Sequence, residues 1–197
     1  MMPTRRHFIR CSLPCLLAPW WALADDAAVR VEGQSFERQV QLAGSTLVLN
    51  GTGVRAVAWF KGFAAGLYLT ARAATAAQAV AMAGPKRLRL CMLYDVPAVE
   101  FAKAVRKGMQ RNAAPADQAA LASRIGSFEA LIRDIGEVHQ GDVIHLDLDP
   151  ARGLLFSVNG TLRGEPIAGA DFFATLLLSF VGEKPFDKKL RAGLLGG

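Results

Sequence analysis

An arginine is set into a mostly apolar run, Leu47-Val-Leu-Asn-Gly-Thr-Gly-Val-Arg55-Ala-Val-Ala-Trp-Phe-Lys61-Gly-Phe-Ala-Ala-Gly-Leu-Tyr68-Leu69. A guanidinium flanked by Val54, Val57, Trp59 and Phe60 is costly to hold away from water without a partner. It therefore reaches solvent, meets a carboxylate, or lies at a cleft floor where an anionic ligand can meet it. An outward-facing strand position is the plainer reading of composition alone.

Other candidates for chemistry are few. His139 and His145 are six residues apart, and no Cys or carboxylate cluster accompanies them, so the spacing does not describe a metal site. Cys91 lies in an alternating apolar stretch and reads as a small core residue. Gly51-Thr-Gly53 lacks the following helix and third glycine of a phosphate-binding loop. No serine nucleophile elbow is present. The Asn50-Gly-Thr52 and Asn159-Gly-Thr161 sequons are better explained as turns.

The elements that would position Arg55 follow from hydrophobic period. Residues 25–37 read as a loose leader. Arg38 to Leu49 alternates as strands around a Gly44-Ser45 turn, and Asn50-Gly51-Thr52-Gly53 reads as a second turn or bulge. Trp59 to Leu69 is a further strand, and Ala71 to Ala83 an alanine-rich helix stopped by Gly84-Pro85. Lys86 to Leu93 alternates as a strand. Asp95-Val-Pro97 then opens a helix with Phe101, Val105 and Met109 on one stripe. The basic residues of that helix read as a solvated face. A second amphipathic helix follows Pro115 and ends near Gly136. Asp142 to Asp149, Leu154 to Val158 and Thr161 to Glu165 form a meander, with Asn159-Gly160 as a two-residue hairpin turn. Phe172 to Val181 is apolar all round and predicts a buried helix; a short helix from Phe186 to Leu195 follows. Strands and helices without βα alternation predict an α+β fold, a large antiparallel sheet with helices packed on one face.

The first 24 residues resemble an export signal. Thr4-Arg5-Arg6-His7-Phe8-Ile9-Arg10 is a twin-arginine pattern, followed by an apolar stretch interrupted by Pro14 and Pro19 and then by Ala22-Leu23-Ala24. The stretch is too short and broken for a stable membrane span. Cleavage after Ala24 would leave residues 25–197 as a single periplasmic domain; a general-secretory route would reach the same destination. The chain carries a net charge of +6 over 197 residues, and losing Arg5, Arg6 and Arg10 lowers it to +3, too weak a balance to suggest nucleic acid. Cys91 would then be the lone cysteine, without an intramolecular disulfide. Pro14 before Cys15 departs from a lipoprotein acceptor box.

Gly51-Thr-Gly53-Val-Arg55, followed by Phe60-Lys61-Gly-Phe-Ala-Ala-Gly66-Leu-Tyr68-Leu, resembles the chalcone isomerase family and its bacterial exported branch. Gly141-Asp142, Phe156-Ser-Val-Asn159-Gly160, Ile167-Ala-Gly169-Ala-Asp171-Phe172, Gly182-Glu-Lys-Pro185 and Leu190-Arg-Ala-Gly193 extend the likeness over about residues 30 to 196. The resemblance implies an open-faced β-sandwich of that family's type. It also implies that Arg55 lies at a cleft floor, where in the plant isomerases an arginine stabilises a phenolate during ring closure. That role rests on a fixed cation aimed at an oxyanion in a dry site. The family's other polar groups are replaced here. Its threonine falls at Phe63, its tyrosine at Phe101, its asparagine near Gly108, and the polar residue of its C-terminal helix about Phe173.

An apolar cleft with a cation at its base suits a small hydrophobic carboxylate, and non-catalytic branches of the family are associated with fatty-acid binding. The expectation is thus a periplasmic fatty-acid binder, without a cofactor. Arg55 holds the head group with help from Lys61 or Tyr68, and Phe63 and Phe101 line the cleft. Two alternatives remain: an isomerase (intramolecular lyase) acting on a phenolic or enolic ligand, with Arg55 catalytic, and a haem binder using His139 or His145.

Overall fold

The computed structural model describes residues 28–57 and 60–197; the export segment and Trp59 lie outside the described residues. A hairpin of β1 (Ala28–Val31) and β2 (Gln34–Glu37) comes first. Next come β3 (Gln39–Leu42), β4 (Ser45–Val57) and β5 (Phe60–Leu69). Helix α1 (Ala76–Ala81) leads to β6 (Lys86–Met92), the short β7 (Val96–Pro97), α2 (Ala98–Asn112) and α3 (Gln118–Arg133). The chain ends with β8 (Glu137–Val138), β9 (Val143–Asp149), β10 (Gly153–Val158), β11 (Thr161–Leu162), α4 (Ala170–Val181) and α5 (Lys188–Leu194).

Seven of the strands form one antiparallel sheet in the order β11-β10-β9-β6-β5-β4-β3. The expected α+β architecture is therefore the observed one. Strand alternation divides the sheet's side chains between two cores. Phe63, Ala65, Leu67 and Leu69 of β5 join the large core shared with the helices, whereas Ala64 and Tyr68 join Phe36, Leu47, Leu49 and Cys91 on the opposite face. Helix α2 buries Phe101, Val105 and Met109, each contributing about 1.5–3 kcal/mol by leaving water. The Asn159-Gly160 turn is as expected, with φ of 51° and 78°.

Three expectations require correction. Residues 28–37 are a hairpin rather than a loose leader. The hairpin seats buried Phe36 on the sheet, and its Glu32 and Glu37 pair with Lys61 and Arg89. Helix α1 is shorter than residues 71–83. The Thr75 side chain accepts from the Gln78 N–H and the Gln78 side chain accepts from the Thr75 N–H, a capping box that starts the helix there. Helix α5 starts at Lys188 rather than Phe186, because the Asp187 carboxylate accepts from the Lys189 and Leu190 N–H groups at 2.7 and 2.9 Å.

Of the turn or bulge expected at Asn50 to Gly53, the structure shows the bulge: the segment is part of β4, with a register shift between Leu49 and Gly51. That bulge goes with a buried Asn50 side chain, which donates to the Ala73 and Leu194 carbonyls at 3.0 and 2.7 Å and accepts from the Ala73 N–H at 2.7 Å. Asn50 thus ties β4 to both the segment before α1 and the end of α5. Gly51 serves close approach rather than a special φ: a Cβ there would lie 2.1 Å from the Gly193 carbonyl oxygen. Gly51→Ala is expected to force α5 off β4 and lower stability by about 3 kcal/mol, read as a drop in the urea midpoint. An unchanged midpoint would contradict this packing account.

Candidate functional site

Arg55 stands on the face of β4 that meets the helices. It pairs across the sheet with Phe63 of β5, which in turn pairs with Met92 of β6. These three residues form a row beneath α2. Val96, Glu100, Phe101 and Ala104 close over the row, leaving a cavity of about 180 Å³ whose lining is otherwise completed by Gly62. Phe101 reaches the cavity because it begins the buried stripe of α2, with Val105 and Met109 one and two turns on. The Glu100 carboxylate at the mouth is held by Lys103 at 2.7 Å.

The Arg55 guanidinium lies over the Phe186 ring, 5.1 Å from its centroid. Phe186 packs edge-on against Phe180 of α4 at 4.9 Å, and Phe180 lies 6.4 Å from Phe63. Burial lowers the pKa of Arg55; nearby Asp187 acts in the opposite direction, and Arg111 adds a smaller lowering effect. Among the described residues no carboxylate forms an ion pair with Arg55. The ring supplies part of what a counter-ion would, about 1–2 kcal/mol for a partly desolvated cation–π contact. The arrangement keeps a cation charged, oriented and partly dry beside an apolar space.

Three expected site residues, Arg55, Phe63 and Phe101, come together. Lys61 and Tyr68 do not join them, which corrects the expectation that they assist Arg55. The Lys61 amine bonds both oxygens of Glu32 at 2.8 and 2.9 Å. Tyr68 is buried on the opposite face of the sheet, where burial pushes its hydroxyl pKa up to about 12. Phe173, in α4, lines a different cavity. His139 is exposed, 3.7 Å from Asp95. His145 is held down to about 4 chiefly by burial and next by Arg87. Neither histidine lines the Arg55 cavity. Among the described residues no three His, Cys, Asp or Glu side chains are grouped to hold a metal, and no helix is long and apolar enough to cross a membrane.

Sequence reasoning missed Phe186 and Glu100. Phe186 had one signal, an aromatic directly after Pro185, but the periodicity assigned it to a helix. Gly108 explains its position: a Cβ there would lie 2.3 Å from the Phe186 ring. Where the family resemblance sets an asparagine near residue 108, this chain opens space and fills it with the ring beneath Arg55.

The match to the family model described as chalcone isomerase-like spans residues 28–196. The chain belongs to the chalcone isomerase-like family. Among solved structures, this family member is similar to the crystal structure of an Arabidopsis thaliana fatty-acid binding protein. The two share 19% identity at a TM-score of 0.64, covering 85% of this chain and 95% of that chain. That likeness establishes the fold. Comparison with curated proteins finds no match.

The Gly108–Phe186 fit predicts a cost that depends on the ring. Gly108→Ala alone is expected to displace the ring and lower stability by about 1–3 kcal/mol. In a Phe186→Ala background the same change is expected to cost clearly less, since the ring contact is gone while the Ser179 side chain still lies 3.1 Å from the added methyl. Equal costs in both backgrounds, measured by urea denaturation, would refute the contact.

Proposed function

We propose that this protein is an exported, non-catalytic binding module for a fatty acid or similar hydrophobic anion, with its carboxylate on Arg55. One observation carries the reading: a cation over an aromatic ring, without a described ion-pair partner, borders a small apolar cavity. A carboxylate entering the site would supply a charge-assisted hydrogen bond to a guanidinium already fixed by the fold. The similarity to a fatty-acid binding protein supports the same ligand class. Apart from Arg55 and Glu100, the side chains bordering the cavity are apolar, which leaves few groups to shuttle protons for a cyclisation.

The volume narrows the ligand. A cavity of about 150 Å³ lined by apolar side chains accepts one benzene, so about 180 Å³ suits a short or medium aliphatic tail. A longer chain requires Phe101 or Phe63 to move aside. Octanoate is therefore the probe of choice. Arg55→Ala is expected to weaken octanoate binding by about 1.5–3 kcal/mol, roughly ten- to a hundredfold by calorimetry. Glu100→Gln is expected to strengthen it slightly by removing a like charge from the mouth. Unaltered affinity in Arg55→Ala would overturn the assignment.

The twin-arginine segment and Ala22-Leu23-Ala24 support periplasmic export. N-terminal sequencing of the protein recovered from the periplasm should begin at Asp25. A chain retained in the cytoplasm with its leader intact would contradict export.

A further inference from the structure

A second cation is buried where β6 begins. Lys86 is 4% exposed, and its ammonium donates to the Met82 carbonyl, the C-cap of α1. A lysine ammonium carries three N–H donors, and that carbonyl is the acceptor recorded for it among the described residues. No described carboxylate forms an ion pair with it. Burial lowers the Lys86 pKa, with no neighbouring charge contributing. The helix end offers only partial compensation, since a six-residue helix terminus supports a cation by about 0.3–1 kcal/mol.

Lys86 also lines a cavity of about 270 Å³, walled by Val80, Met82, Leu148, Phe173 and Leu177. It is larger than the space at Arg55, and apart from Lys86 the side chains that line it are apolar. A dianionic phosphate would leave one charge unmatched, whereas a monoanion with an aliphatic tail satisfies both the amine and the walls.

We propose that this cavity is a second ligand site, taking a carboxylate-tipped aliphatic molecule whose head group bonds Lys86. The site is independent of the reading given for Arg55. It divides the helix-covered side of the sheet into two single-cation compartments, one bordered by α2 and one by α1 and α4.

Two methionines report the compartments separately, because Met82 lines the Lys86 cavity and Met92 the Arg55 cavity. The test is NMR of the protein labelled with ¹³C at the methionine methyl groups and titrated with octanoate. The Met82 methyl should shift saturably, persist in Arg55→Ala, and weaken at least tenfold in Lys86→Leu while the Met92 response is kept. On the unaltered protein 1-octanol, which has the tail without the charge, should bind this cavity at least tenfold more weakly than octanoate. That comparison stands even if Lys86→Leu does not fold. A response at Met92 alone would overturn the Lys86 site and leave the Arg55 reading standing; silence at both would overturn both. Octanol matching octanoate at Met82 would also overturn the head-group role.

Discussion

A guanidinium held partly out of water, with no carboxylate among the described residues paired to it, is the constraint around which this end of the molecule is arranged. The fold compensates through several weak terms. An aromatic ring lies under the charge, a carboxylate at a distance acts on it, and the strand pairing fixes its direction. An ion pair would have been more stabilising locally, but it would also have used the donors that a ligand needs. On the proposed reading the site is pre-organised for an anion, and the cost of holding it so is spread over the surrounding packing.

That packing depends on glycines at contacts, not only in turns. Gly51 and Gly193 let α5 lie directly on β4, and Gly108 admits Phe186 between α2 and α4. The same close approach brings Asp187 near Arg55 and at the same time lets its carboxylate cap α5. Binding geometry and stability thus share residues, so changes at this end should rarely affect one alone.

Strand alternation, the Asn159-Gly160 hairpin and the α2 stripe were all legible in the sequence because each is a local period or a local turn. The placement of Arg55 among Phe63 and Phe101 followed from the family resemblance, and the structure brings those three together. Tyr68 could have been set aside by counting. Phe63 lies across from Arg55, and five residues along a strand reverse the face. Phe186 could not be found that way, because its position depends on a gap at Gly108, 78 residues earlier in the chain. The β1–β2 hairpin was missed for a similar reason: Phe36 is held by a distant surface rather than by its own pattern.

The central claim is that Arg55 holds the anionic head of a hydrophobic ligand, and native mass spectrometry of the protein purified without denaturant tests it most directly. The account predicts a bound species with the mass of an aliphatic carboxylic acid in the natural protein, strongly depleted when Arg55 is replaced by alanine in an otherwise folded chain. The same occupancy in both proteins, or a clean protein mass in both, would contradict it.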